Sequence, residues 1–333
     1  HLPLPLKLDL RREEFSPNFA ENPQHPDLKQ VSLSAKLSYQ SKLLKKLLQI
    51  LSMKKFFILL PLLILAVFAC GKKNAGTQTQ SDTVKTKSAN QINFKKFFDA
   101  DTTTGCIVIY DYKNDRHYYH DSARCYRGFL PASTFKIPNS LFFLESGVLK
   151  DENEIIKWDG EKRWREEWNK DLNLREAYKY SAVWFYQECA RRMGLEQMRK
   201  FVDTLNYGSK DISEGVDMFW LKGKMRITAM EQLGLQRKIY ENKIPFKQRN
   251  IDILKDIMIN EKGADYILRL KTGTAVNDDS KVGWLVGYLT VKENVYLFAL
   301  NVDITEDDWK FEERFSIMKN CFEEMGVVKF DKK

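Results

Sequence analysis

The spacing of apolar positions along the chain predicts its elements. Cys106-Ile-Val-Ile-Tyr110 is a β-branched run that reads as a strand, Lys113-Asn-Asp115 supplies a turn, and Tyr118-Tyr119 begins a return strand. The period then changes. From Ser133 to Leu144 the apolar positions Phe135, Ile137, Leu141, Phe142 and Leu144 suit a buried helix that Gly147 stops, with Pro138 confined to its early turns. Residues 151–263 are rich in Glu, Lys, Arg, Trp and Leu, and stretches such as Ala182 to Met193 and Ile251 to Ile259 read as helices. Three strand candidates follow, Tyr266 to Thr274, Val282 to Val291 and Val295 to Asp303, and then a helix from Trp309 to Met325. Strands at both ends of a helical block predict an antiparallel sheet assembled from both ends, an α+β architecture. Its α/β part covers residues 94–150 and 264–330 and its inserted helical part 151–263; no internal repeat is present.

Upstream of this region the pattern is of another kind. Met53-Lys-Lys is followed by an apolar run from Phe56 to Ala69, short for a membrane span but suited to the core of a signal peptide over residues 53–70. The run ends Val67-Phe68-Ala69-Cys70-Gly71, which resembles a lipoprotein cleavage site. The expectation is an exported protein held on the periplasmic face of a bacterial membrane by a lipid on Cys70. Residues 71–93, rich in Lys, Thr, Ser, Gln and Asn, read as a flexible tether. Residues 1–52 precede the signal and are expected to be upstream sequence that is non-native or untranslated.

Charge alters the picture less than its total suggests. The 333 residues carry a formal +9, but residues 1–100 hold 16 Lys/Arg against 7 Asp/Glu and residues 101–333 hold 38 against 38. The folded part is neutral and lacks the basic footprint that phosphate binding requires, so nucleic-acid partners are excluded. No Cys-x-x-Cys or His-Glu-x-x-His spacing occurs, and no metal site is expected. Cys106 and Cys125 flank the first hairpin, and a disulfide between them after export stays open.

Chemistry enters with Ser133-Thr134-Phe135-Lys136. Ser-x-x-Lys places a hydroxyl and an amine on one helix face, but the pattern also occurs at Ser52/Lys55 and Ser316/Lys319. Setting separates the first match: Pro131-Ala132 leads into it, and backbone N–H groups at a helix start can support a developing oxyanion. Ser181-Ala182-Val183 comes next and Lys271-Thr272-Gly273 third, on a strand followed by another strand. That order resembles the penicillin-recognising serine enzymes. Val183, where Asn is usual in most of them, resembles the class D, oxacillinase-type β-lactamases. So do Pro131-Ala-Ser-Thr-Phe-Lys-Ile-Pro-Asn139, Asp171-Leu-Asn-Leu-Arg175, Phe219-Trp-Leu221 and Gly283-Trp-Leu-Val-Gly287. The similarity runs from about residue 95 to 330. It departs at Ser209 of Tyr207-Gly208-Ser209, where the family usually has Asn, and at Trp184, where Pro is common.

The resemblance implies the serine β-lactamase and penicillin-binding-protein fold, β-lactam antibiotics as small-molecule substrates, and a role in antibiotic resistance. It assigns Ser133 as nucleophile. A lysine at its ordinary pKa of about 10.4 is protonated and useless as a base, so Lys136 must be altered; burial can lower a lysine by up to ~3–5 units. In class D enzymes the resulting amine takes up CO2, and the resemblance implies a carboxylated Lys136 serving both half-reactions with no other cofactor than CO2 or bicarbonate. Trp220 would donate its indole N–H to that group and Val183 would wall it. Ser181 would relay a proton to the departing nitrogen, and the backbone N–H groups of Ser133 and Thr274 would form the oxyanion hole. Lys271, Thr272, Gly273 and Arg314 would receive the substrate carboxylate, although Arg314 lies in a charged helix whose exposed face is its plain alternative. A β-lactam sensor that is acylated without turnover, and a cell-wall transpeptidase or carboxypeptidase, are the rival readings. A second copy of the chain is an admissible partner.

Overall fold

The computed structural model describes residues 92–100, 103–277, 280–304 and 311–331. The expectations for residues 1–52, the signal peptide, Cys70 and most of the tether lie outside these, as does Trp309 at the expected start of the last helix.

The chain opens with α1 (Lys95–Ala100), the hairpin β1 (Gly105–Asp111) and β2 (Arg116–His120), and a short turn of helix, α2 (Ser122–Cys125). A 3-10 turn, Ala132–Phe135, leads into α3 (Lys136–Ser146). Gly147 ends α3 in the left-handed conformation at φ 78°, as expected of a helix-terminating glycine. The central block carries α4 (Leu174–Tyr180), α5 (Val183–Met193), α6 (Leu195–Leu205), α7 (Ala229–Tyr240) and α8 (Gln248–Ile257). The chain then returns to the sheet as β3 (Ile259–Lys262), β4 (Tyr266–Asn277), β5 (Ser280–Val291) and β6 (Asn294–Asp303), and closes with α9 (Phe311–Glu324).

The strands form one six-stranded antiparallel sheet in the order β2-β1-β6-β5-β4-β3. The pairing of β1 with β6 joins the two ends of the chain, with Val108 opposite Ala299. Every residue of β1 is buried because both faces of the sheet are covered. Alternate side chains of a strand point to opposite faces. Cys106, Val108 and Tyr110 accordingly join the core shared with the central helices. Ile107 and Ile109 join a second core with Phe94, Phe98, Ile317, Met318 and Phe322 of α1, its approach and α9. The same division sends Trp284 and Val286 of β5 to one core and Leu285 and Leu289 to the other. These strands therefore read as continuous apolar runs rather than alternating ones. Cys106, Cys125, Cys189 and Cys321 are all buried free thiols.

Two departures from the sequence pattern are local. The helix predicted from Ser133 begins instead as the tighter 3-10 turn, and β3 replaces the end of the helix predicted to reach Ile259. β3 is short and half exposed, so it carries little of the apolar period that would mark a strand.

Close packing between strands depends on Gly287. A Cβ there would run into the carbonyl oxygen of Arg269 and approach the Leu270 Cα to 2.7 Å, both backbone atoms of β4. Gly287→Ala should therefore cost about 1–3 kcal/mol as a forced overpacking, measured by urea denaturation. Gly147→Ala, where nothing lies within 4 Å of the added methyl, should cost only the left-handed backbone term of about 1–2 kcal/mol.

Candidate active site

The 3-10 turn presents Ser133 one residue after a strained backbone. Ala132 has φ 49°, a left-handed conformation that costs a non-glycine residue about 1–2 kcal/mol. Several bonds hold the turn in that shape. Thr134 Oγ1 donates to the Pro131 carbonyl at 2.6 Å and accepts from Gln232 Nε2 of α7 at 2.7 Å, while Trp284 Nε1 of β5 donates to the Leu130 carbonyl at 3.0 Å. Against the open side of the turn lies β4. At Gly273 an added Cβ would stand 3.0 Å from Thr134 Cγ2 and 3.1 Å from the Pro131 carbonyl. The Lys271-Thr272-Gly273 stretch is thus pressed onto the turn that carries the serine.

Lys136 opens α3, and its Nζ donates to Ser133 Oγ at 2.8 Å. The lysine is wholly buried. Loss of water, and secondarily the charge of Lys271, hold its pKa well below the ordinary lysine value. Among the described residues the amine has an aromatic neighbour rather than a carboxylate: the Tyr186 ring lies 5.1 Å from Nζ. Tyr186 is itself fixed by a 2.8 Å hydrogen bond to Ser140 Oγ, which donates to the Lys136 carbonyl. Phe135 stacks on Trp220 with ring centroids 5.7 Å apart. The Trp220 indole N–H is buried with no hydrogen-bond partner among the described residues.

Ser181 ends α4 at φ 57°, the left-handed position that glycine usually fills. The Ala182 N–H closes the end by bonding to the Ala177 carbonyl at 2.9 Å. Val183 follows as the partly buried first residue of α5, one turn before Tyr186. Lys271 is buried over the ring of Tyr178, 5.5 Å from its centroid. Burial, then the charges of Arg165 and Arg314, lower its pKa to about 7.

Arg314 is also buried, with 4% of its surface exposed, so the exposed-face alternative for it fails. Its Nη1 donates to the Gly273 carbonyl at 2.8 Å and reaches Thr274 Oγ1 at 3.4 Å. Gly283 makes room for it, since a Cβ there would lie 2.8 Å from both Cδ and Nη1 of the arginine. Ser133, Lys136, Lys271, Gly273, Thr274 and Arg314 therefore share one locus, Trp220 backs it through Phe135, and Ser181 flanks it through α4. Cys70 lies outside the described residues. The competing match Ser316/Lys319 is structural: Lys319 pairs with Glu261 at 2.8 Å.

At residues 207–209 the backbone is stapled to 226. Ser209 N–H donates to the Arg226 carbonyl at 2.8 Å, and its Oγ accepts from the Arg226 N–H at 3.0 Å. Serine thus keeps the local loop bonded where the family has Asn. Trp184, where Pro is common, ties α5 to the loop before α4 by donating to the Trp168 carbonyl at 2.9 Å.

Comparison with known proteins agrees with this geometry. The family model for the penicillin binding protein transpeptidase domain matches residues 100–323. The β-lactamase OXA-48 of Klebsiella pneumoniae is 44% identical over 204 residues, 61% of this chain and 77% of that protein. OXA-10 of Pseudomonas aeruginosa is 37% identical over 239 residues, 71% and 90% of the two chains. Among solved structures, a class D β-lactamase from Sebaldella termitidis is 43% identical with a TM-score of 0.69, covering 72% of this chain and 97% of its own. The chain belongs to the class D β-lactamases. It is a serine hydrolase of β-lactams with the penicillin-binding fold.

In this class D enzyme, Gln232 and the Thr134 lock were not found from sequence, because a glutamine in a helix after an ordinary Thr228/Glu231 capping box carries no motif of its own. Thr134→Val keeps the shape but leaves the buried Gln232 amide without its acceptor. It should cost about 1–3 kcal/mol of stability, and loosening of the serine turn should lower kcat more than it raises KM, as steady-state kinetics beside a denaturation curve will report.

Proposed function

We propose that this enzyme hydrolyses β-lactams through an acyl group on Ser133, with a carboxylated Lys136 as the general base. The observation that carries the reading is the Lys136 environment: a fully buried amine whose pKa burial lowers, 2.8 Å from the serine hydroxyl, with the Trp220 indole, unpartnered among the described residues, behind the adjacent Phe135. A buried donor left unbonded costs about 1–3 kcal/mol, and an anionic oxygen on Lys136 would give it an acceptor. The neutral amine would attack CO2, forming an N–C bond and releasing one proton. Once bound, the carboxylate supplies a base for the Ser133 proton and later for the deacylating water.

The chain's own residues divide the remaining work. The Tyr186 ring lies against Lys136, and Val183 is assigned with it to keep water from the lysine, which favours the neutral amine. Ser181, held at the end of α4, is assigned to pass a proton to the leaving nitrogen. The Ser133 and Thr274 N–H groups are assigned to the oxyanion, and Lys271 with Thr272 and Arg314 to the substrate carboxylate, where a guanidinium and an ammonium supply charge-assisted bonds. We also propose export and lipidation at Cys70, supported by the apolar run before it; globomycin-sensitive labelling with a radiolabelled fatty acid would test this.

Stripping CO2 from the buffer should lower turnover of a chromogenic cephalosporin, and bicarbonate should restore it. Lys136→Ala should lose about 10²-fold or more of kcat, within the range of a lost general base. Trp220→Phe should fold normally yet need about tenfold more bicarbonate for half activity, the effect of ~1.4 kcal/mol. Turnover indifferent to CO2 and to Lys136 would overturn the carboxylated-base reading.

The depressed Lys271 pKa gives a second check. Below about 7 the free enzyme holds Lys271 charged, and above it the cation is lost. KM for a carboxylate-bearing substrate should therefore rise as pH goes from 6 to 9, with kcat falling less. A KM that is flat over this range would remove Lys271 from carboxylate binding.

A further inference from the structure

The loop between Asp159 and Asp171 carries two arginines in unlike settings. Arg163 is neutralised, bonded to Asp159 at 2.6 Å and to Glu161 at 3.3 Å. Arg165 is half buried and has no carboxylate partner among the described residues. Its Nη1 instead reaches the Tyr180 carbonyl at 3.4 Å, the same oxygen that accepts from Trp168 Nε1 at 3.0 Å. Tyr180 immediately precedes Ser181, so both side chains stand at the edge of the site. The Arg165 charge is also felt at Lys271, whose pKa it helps to lower.

Over this guanidinium stands Trp164, its ring centroid 5.3 Å from Arg165 Cζ and 5.7 Å from the Trp168 ring. Trp164 is 82% exposed, more than any other large apolar side chain described. An indole left in water next to a site contributes little to packing, and amphipathic aromatic rings backed by a cation are suited to contact ligands.

We propose that Trp164 and Arg165 form a subsite for the side chain of the β-lactam, selecting an aromatic ring that carries an anionic group. The ring would lie on the Trp164 indole while the anion meets the Arg165 guanidinium, which has no carboxylate among the described residues to displace. The inference rests on the assignment of Ser181 and Lys271 to the β-lactam site and adds to it a preference among substrates.

The test compares a penicillin bearing a phenylacetyl side chain with the analogue that carries a carboxylate on the side-chain α-carbon. The quantity read is the ratio of their kcat/KM values, anionic over neutral, so that any general effect on Ser181 or Lys271 cancels. Arg165→Ala should lower that ratio about two- to fivefold, the size of a partly exposed ion pair, and Arg165→Lys should restore part of it. In the wild type the ratio should fall as ionic strength rises from about 0.01 M to 1 M, over which the screening length shrinks from roughly 30 Å to 3 Å. A ratio unchanged by Arg165→Ala, or indifferent to salt, would overturn the subsite. Failure of the wild type to turn over either penicillin would overturn the site reading and the subsite with it.

Discussion

Everything in the site depends on one lysine amine held out of water. Lys136 is fully buried, its Nζ donates to Ser133 Oγ, and the Tyr186 ring, rather than any carboxylate among the described residues, lies beside it. A charged ammonium there has lost its hydration and gained no carboxylate partner among the described residues, so burial shifts the balance toward the neutral amine. Lys271 sharpens the effect, because a second buried cation repels the proton on the first. A carboxylate of substrate or of a modified lysine would reverse the sign of that interaction. The empty charge balance of the site is thus a demand for an anion, and Arg314 adds to it.

The fold supplies the dryness. A sheet covered on both faces puts β4 and β5 between two apolar cores, and the site lies where β4 meets the turn before α3. Two glycines set the spacing. Gly273 lets β4 approach the Thr134 turn, and Gly283 admits the Arg314 side chain from the opposite side. With Arg314 bonded to the Gly273 carbonyl, the strand is clamped between an arginine from the last helix and the serine turn of the first part of the chain.

The sheet strands other than β3, the central helices and the three motifs were legible in the sequence because each leaves a local trace: a β-branched run, a helical period, a fixed spacing. Arg314 left a misleading one. Its helical neighbours are charged, and its burial comes from Gly283 on another element. Gln232 and Tyr186 left none, since their partners Thr134 and Lys136 lie far away in sequence. The 3-10 turn was read as ordinary helix because its hydroxyl-to-amine spacing is the same in either form, and what distinguishes it is the backbone of Ala132. Arg165 could have been suspected only once Arg163 was seen to be paired and Arg165 not.

Both residues in left-handed backbone near the chemistry are non-glycine: Ala132, just before the nucleophile, and Ser181 at the end of α4. At Ser181 a glycine would relieve the strain but remove the hydroxyl, so its presence costs about 1–2 kcal/mol of stability in exchange for a side chain fixed in direction. At Ala132 the strain has no such local return. Its counterpart lies outside the residue, in the Thr134, Gln232 and Trp284 bonds that hold the turn. Strain of this kind persists only where surrounding structure over-determines it. The rigidity of the serine therefore resides less in the Ser-x-x-Lys motif than in the helix and strand behind it. That is why the four-residue pattern, which recurs in this chain, does not by itself make a site: Lys319 meets Glu261 in a largely buried ion pair, whereas Lys136 meets a serine in a turn that cannot move away.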